Sequence, residues 1–411
     1  MQTRILPELL ATPAGQRVDD ILRKCVHCGF CTATCPTYQL LGDELDGPRG
    51  RIYQIKQVFE GMPADRNIQL HLDRCLTCRS CETTCPSGVD YGELIDIGRE
   101  TVEQAVERPL KERLARRLLG ALLPHPARHS LLFRAASALR SLLPTTLKQK
   151  APAIRPARHY PQAGSAQGAS VLLLDGCAQS TLSPNTNAAA EAVLRAQGYR
   201  VIREPARSCC GAVNQHLSQT ERARAWVLRN LAQWRELDRR QGIDFIVSSA
   251  SGCGVMLKDY PKIIAGLPGD HSEELALIER IRDLSELLDA ERLLERQPGF
   301  RAPEALIGYH APCSLTHGQK LAGRLQQQLE TLGFRLSIPR DAHLCCGSAG
   351  TYSLLQPELS RQLRDNKLAA LEAEAPALIV TANVGCEHHL GSASDTPVRH
   401  WIELVADGLP A

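Results

Sequence analysis

Long apolar runs are missing from this sequence, and nothing in it approaches the roughly 18 residues of a transmembrane helix. The opening, MQTRILPELLATPAGQRVDD, carries acids and lacks an apolar core, so it does not read as a secretory signal. A cytoplasmic chain is expected. Aromatic residues are only 4% of the whole, and no nucleic-acid motif accompanies the basic stretches, so no nucleic-acid partner is expected. G-x-G-x-x-G and the P-loop pattern are both absent. The chain therefore has no visible means of taking hydride from an alcohol, and no flavin of its own is expected.

What is present begins with size. A chain of 411 residues allows about two to four domains and can bury a sizeable core without disulfides. Hydrophobic residues at 43% and charged residues at 23% are ordinary for a globular protein and exclude collagen, coiled coil and gross disorder. Sixteen cysteines are then the anomaly. In a reducing compartment they suggest metal.

Charge is unevenly spread. Between Arg108 and Arg158 there are twelve Lys or Arg and one acid, Glu112, although the whole chain is only +3. Such a stripe on an otherwise acidic protein reads as a docking surface. The stretches TVEQAVERPLKERLARRLLGALL and SLLFRAASALRSLL show helical spacing with arginine opposite the apolar face. Arg113, Arg116 and Arg117 are expected to face a partner or anionic lipid at the inner membrane surface. A Pro-, Gly- and Ser-containing linker follows, with a domain boundary near residue 165.

Two duplications contain every cysteine. Cys25, Cys28, Cys31, Cys35, Pro36 recur as Cys75, Cys78, Cys81, Cys85, Pro86. The run C-x₂-C-x₂-C-x₃-C-P is a bacterial iron–sulfur signature whose fourth cysteine serves the other cluster. Cluster one is expected to take Cys25, Cys28, Cys31 and Cys85, and cluster two Cys75, Cys78, Cys81 and Cys35. A structural zinc site would pair two C-x₂-C elements across a longer loop, and c-type haem would need C-x-x-C-H; neither pattern occurs in these runs.

The second duplication is longer. Cys177, Cys209-Cys210-Gly211 and Cys253 recur as Cys313, Cys345-Cys346-Gly347 and Cys386. Each set is interleaved with short apolar runs and helical stretches, which implies parallel α/β layers. The first and last cysteines of each half follow predicted strands, where open α/β sheets place ligands. A thiol cluster at one sheet edge is therefore expected in each half, and these eight cysteines are candidate ligands of a further cluster. His310, His317, His343, His388 and His389 lie near the second group and His216 near the first; Asp175, Glu204 and Glu387 are weaker candidates still. No acid–base role is assigned.

Taken together, KCVHCGFCTATCPTYQLLGDELDGPRGRI, SCCGA and HLCCGSAGTY resemble a family of electron-transfer subunits that join a two-cluster ferredoxin domain to two CCG cysteine-rich domains. That family takes in iron–sulfur subunits of glycolate oxidase and of the anaerobic glycerol-3-phosphate dehydrogenase, lactate-utilisation proteins and heterodisulfide reductase subunits. The likeness is greatest to the glycolate oxidase group. It implies a multidomain fold: an all-helical ferredoxin-like domain over 1–105, a basic helical segment and linker over 106–165, and α/β CCG domains over 166–300 and 301–411. It implies two [4Fe-4S] clusters, flavin-binding partner subunits that oxidise glycolate to glyoxylate, and a quinone or respiratory acceptor. Each half here keeps four cysteines where the fullest family pattern has five, which argues against disulfide-reducing catalysis.

Overall fold

A computed structural model describes residues 1–125, 127–128, 131, 158–160, 168–205 and 207–410. The described residues before Ser170 form helices and turns without a strand. Three helices carry the core of this region. Pro13–Lys24 starts at Thr12, whose hydroxyl accepts from the Gly15 amide at 3.0 Å, and buries Val18, Ile21 and Leu22. Pro48–Phe59 adds Ile52, Ile55 and Phe59, and Tyr91–Ala105 adds Leu94, Ile95 and Val102. The three- and four-residue spacing of these side chains gives each helix one apolar stripe, and the stripes meet in a single cluster.

The stretch read as one helix over 101–123 is two. Tyr91–Ala105 ends before Pro109 and Leu110–Leu122 begins after it. Pro109 disfavours helical backbone at Arg108 and cannot donate a helix hydrogen bond, so the chain turns there. The predicted helix over 130–143 and the linker with its boundary near residue 165 fall almost wholly outside the described residues.

Two parallel sheets follow, with the same order. In the first half β1 (Ser170–Leu174), β2 (Arg200–Arg203), β3 (Phe245–Ser248) and β4 (Ile281–Asp283) lie as β2-β1-β3-β4. In the second, β5 (Leu306–His310), β6 (Arg335–Ser337), β7 (Leu378–Thr381) and β8 (Val398–His400) lie as β6-β5-β7-β8. Each sheet reverses direction of winding between its two central strands, which opens a crevice at their carboxyl ends. The halves share one core, in which Val171, Ile307 and Trp401 are all buried. Across the seam Thr186 Oγ1 donates to Glu403 at 2.9 Å and Ser183 Oγ to Glu387 at 2.9 Å.

Candidate metal centres

The N-terminal cysteine loops are shaped by left-handed backbone. His27 and Gly29 have φ of 57° and 84°, and their counterparts Thr77 and Arg79 have 53° and 59°. Two such residues inside one C-x₂-C-x₂-C loop curl it around a common centre, and the strain they cost marks a loop shaped for a site. The Thr77 amide donates to Cys75 Sγ at 3.4 Å.

The structure brings the cysteines together across the duplication. Cys25, Cys28, Cys31 and Cys85 line one cavity, which Cys81, His27, Ile52 and Tyr91 also touch. Cys85 is close enough to raise the Cys25 and Cys31 thiols electrostatically, and Cys35 does the same to Cys78 and Cys81. Burial is the larger cause in every case, lifting Cys31 to about 11.

The surroundings of the two groups differ. Cys28 is exposed, flanked by Val26 at 66% and Phe30 at 61% of full exposure. Cys75 and Cys81 are buried beside two buried arginines. Arg51 donates to the His71 carbonyl at 2.7 Å and to Thr37 Oγ1 at 3.2 Å, and it pairs with Asp46 at 3.4 Å. Burial works against its charge, but Tyr91, Cys75, Cys35 and Asp46 outweigh it and strengthen the cation. Arg99 donates to the carbonyls of Leu72 and Cys75 at 2.9 and 2.6 Å. Arg51, Arg99, Asp46 and Tyr91 carry no motif in the sequence; an arginine inside a helix reads as a surface residue until its neighbours are known.

Each C-terminal half gathers its four thiols at the crevice. Cys177 and Cys313 follow the ends of β1 and β5. Cys253 and Cys386 sit in the first turn of helices Ser251–Lys258 and Val384–Gly391, directly after β3 and β7. The double cysteines are turned inward by Gly211 and Gly347 at φ of 91° and 86°. A Cβ at Gly347 would meet the Ser360 carbonyl at 2.5 Å, so only glycine fits there. In both loops the glycine amide donates to the first cysteine of the pair, Cys209 or Cys345, at 3.4 Å. Cys313 and Cys345 Sγ are 3.6 Å apart. Cys210 is held below the thiol range by hydrogen bonds from Cys209 and Cys253, whose own thiols are pushed up. Cys313 is pushed up first by its bond with Cys345, and Cys345 and Cys346 rise with it.

Thiols that raise one another in this way can ionise together only around a cation, and all sixteen are free of disulfides. Four convergent soft donors per group suit iron–sulfur clusters. The second C-terminal group abuts the ferredoxin region: Cys78 is raised by Cys313, Cys345 by Cys78, and both cysteines pack in a cluster with Leu76 and Tyr352. His317 bridges the same seam, with Nδ1 2.8 Å from Thr83 Oγ1 and Nε2 2.9 Å from the His343 carbonyl.

Other sequence candidates have structural partners. His216 lies 3.4 Å from Asp96, His388 3.1 Å from Ser183 and His389 3.1 Å from Ser360. Asp175 pairs with Arg203, Glu204 accepts from Ser208 at 2.9 Å, and Glu387 accepts from Ser183. Burial holds Glu204 up at about 6.

The reading of the basic face is corrected at Arg108 and Arg116. Arg116 turns inward to Asp73 at 2.7 Å, and buried Arg108 pairs with Asp73 and Glu103 at 2.6 Å each. Arg113 is half-buried; Lys111 and Arg117 remain exposed. Of the stripe, Arg116 anchors Leu110–Leu122 to Asp73, and Arg108 ties the turn before that helix to Asp73 and Glu103.

Comparison with known proteins agrees with this arrangement. Residues 21–89 match the 4Fe-4S dicluster domain family, and residues 171–258 and 307–391 match the CCG cysteine-rich domain family. The glycolate oxidase iron-sulfur subunit of Escherichia coli (strain K12) is 48% identical over 415 aligned positions, covering 100% of this chain and 99% of that protein. The probable glycolate oxidase iron-sulfur subunit of Bacillus subtilis (strain 168) is 31% identical over 401 positions, or 90% of this chain and 89% of its own. Lactate utilization protein A of Geobacillus thermodenitrificans (strain NG80-2) is 27% identical over 54% of the chain and 90% of its own length. Duplicated cysteine loops, paired CCG halves and end-to-end identity thus lead to one conclusion: the chain carries iron–sulfur clusters and belongs to the family of glycolate oxidase iron–sulfur subunits.

Proposed function

We propose that this chain is the electron-transfer subunit of a complex whose flavin-bearing partners oxidise glycolate to glyoxylate, delivering electrons towards a quinone or respiratory acceptor. The observation that carries the reading is the packing of Cys78 and Cys313 against one cluster with Cys345, Leu76 and Tyr352, which joins a ferredoxin thiol group to a CCG thiol group inside one fold. Cys25, Cys28, Cys31 and Cys85 hold one [4Fe-4S] cluster, and Cys75, Cys78, Cys81 and Cys35 the other. A further cluster is held by Cys313, Cys345, Cys346 and Cys386, with Cys177, Cys209, Cys210 and Cys253 as the equivalent set in the first half. Bound there, such a cluster carries one electron at a time. The protein's part is to fix the thiolates, exclude water from the buried group and set its potential through Arg51, Arg99 and the amide donors. Residues 1–105 act as an all-helical ferredoxin-like domain, and 166–300 and 301–411 as CCG domains.

We also propose that the complex lies in the cytoplasm, peripheral on the inner membrane face. Among the described residues no helix is long and apolar enough to cross a membrane. Leu110, Leu114 and Leu118 are exposed at 68%, 54% and 50%. At 3.6 residues per turn they share one stripe, flanked by Lys111 and Arg117, a pattern that suits anionic lipid. Leu114→Glu with Leu118→Glu should abolish sedimentation with anionic vesicles; unchanged sedimentation refutes membrane contact through this helix. The functional reading is tested by assaying the purified chain with glycolate and an artificial dye. No turnover is expected until the flavin-bearing subunits are added, and turnover by the chain alone would overturn it.

A further inference from the structure

The central strands of the two C-terminal sheets pair in the same order and register, and at one point that register exposes a chemical difference. β1 ends at Leu174, paired with Ser248 of β3; β5 ends at His310, paired with Thr381 of β7. Both positions lie three residues before the first cysteine of the half. In the first half Leu174 lines a cavity together with Cys210 and Cys253. In the second half a ring nitrogen of His310 and the Sγ atoms of Cys346 and Cys386, the counterparts of those two cysteines, all lie within 4.8 Å of one another.

His310 is 1% exposed, as is Cys346, and Cys386 is 4% exposed. Its Nδ1 is 2.9 Å from Thr381 Oγ1, while Nε2 is buried and has no hydrogen-bond partner. Buried polar atoms are almost always satisfied, so an orphaned imidazole nitrogen beside two thiols asks for a ligand. With Nδ1–H donating to Thr381, the lone pair sits on Nε2. Metal-binding histidines are usually oriented in this way, through a hydrogen bond from the other ring nitrogen.

We propose that His310 Nε2 is a metal ligand alongside Cys346 and Cys386, so that the two C-terminal centres differ: sulfur donors alone in the first half, sulfur with one nitrogen in the second. This rests on the reading that the second half holds an iron–sulfur cluster, and it adds the identity of a ligand outside the cysteine pattern. A [4Fe-4S] cluster takes four protein ligands, so His310 here takes the place of one of the other two thiolates of this half, Cys313 or Cys345, whose Sγ atoms lie 3.6 Å from each other. A neutral imidazole in place of a thiolate removes negative charge from the cluster and raises its reduction potential. The centre touching the ferredoxin loop would then be the more readily reduced of the two.

The full-length chain, prepared anaerobically with ¹⁵N-histidine and partly reduced, tests this by pulsed electron paramagnetic resonance and iron analysis. One cluster should show strong coupling to a histidine nitrogen. His310→Cys, which keeps a ligand at the position, should retain the iron, lose that coupling and lower the potential of the same cluster. Iron above the roughly eight atoms of the two N-terminal clusters with no histidine coupling would overturn the ligand while leaving the C-terminal cluster standing. Coupling that survives in His310→Cys would overturn it equally. Iron at about eight per folded chain would remove the C-terminal cluster itself, and this ligand with it.

Discussion

Cys28 stands exposed in one N-terminal loop, while its counterpart Cys78 is half-buried in a loop flanked by both C-terminal halves, with Arg51 and Arg99 behind it. Spacing and left-handed backbone positions are the same in both loops. The difference teaches that spacing chooses the donors, while burial, buried cations and contacts with distant segments choose the electrical surroundings of each site.

The largest test of the comparison exchanges the two sites. Cys85→Ser should strip about four irons per chain from the site of Cys25, Cys28 and Cys31, and Cys35→Ser should do so at the buried site. If each change instead empties the site nearer in sequence, ligation is not crossed. Arginine replacements sharpen the electrostatic side. Arg51→Met leaves the fully buried Asp46 to Arg74 and His71 and removes the buried hydrogen bonds to Thr37 and the His71 carbonyl, and should cost about 2–3 kcal/mol in denaturant unfolding. Arg49→Met breaks only the half-exposed pair with Glu44 and should cost about 0–1 kcal/mol. Equal losses would erase the distinction.

The smallest effect is kinetic. In iron-free protein at neutral pH, alkylation followed by peptide mapping should label Cys28 at least about tenfold faster than Cys31, Cys78 or Cys81. Burial raises the last three, Cys31 to about 11. Their neutral form therefore persists as pH rises through the ordinary thiol range near 8.5, and the gap between Cys28 and Cys31 should narrow only towards pH 11. Uniform labelling would show that the enclosure does not persist without metal.

Much of this was legible from the chain. The duplicated runs predicted the crossed grouping, and the 136-residue recurrence of Cys177 and Cys209 as Cys313 and Cys345 predicted two equivalent sheets. The strands foreseen were the apolar central ones, β1, β3, β5 and β7. Their neighbours β2, β4, β6 and β8 are three or four residues long and contain arginine, so they have too little periodicity to be read. Arg116 was misassigned because helical spacing places it opposite the leucines; its partner Asp73, 43 residues upstream, is visible only once the chain is folded. His310 was one candidate among several, and what separates it from His388 or His389 is a strand register that sequence spacing does not contain.

Arg79 carries a consequence in time. It occupies the left-handed position held by Gly29 in the other loop, and its guanidinium pairs with Asp259 at the end of helix Ser251–Lys258. The same loop meets Cys313 and Cys345 from the opposite half. With both halves docked this loop is flanked on two sides, while Cys28 stays exposed, so an iron–sulfur delivery protein has the freer approach to the Cys28 loop. Loading of the flanked site is therefore expected to be faster on the N-terminal region before the C-terminal halves close over it, and refilling after oxidative damage is expected to be faster at the open site.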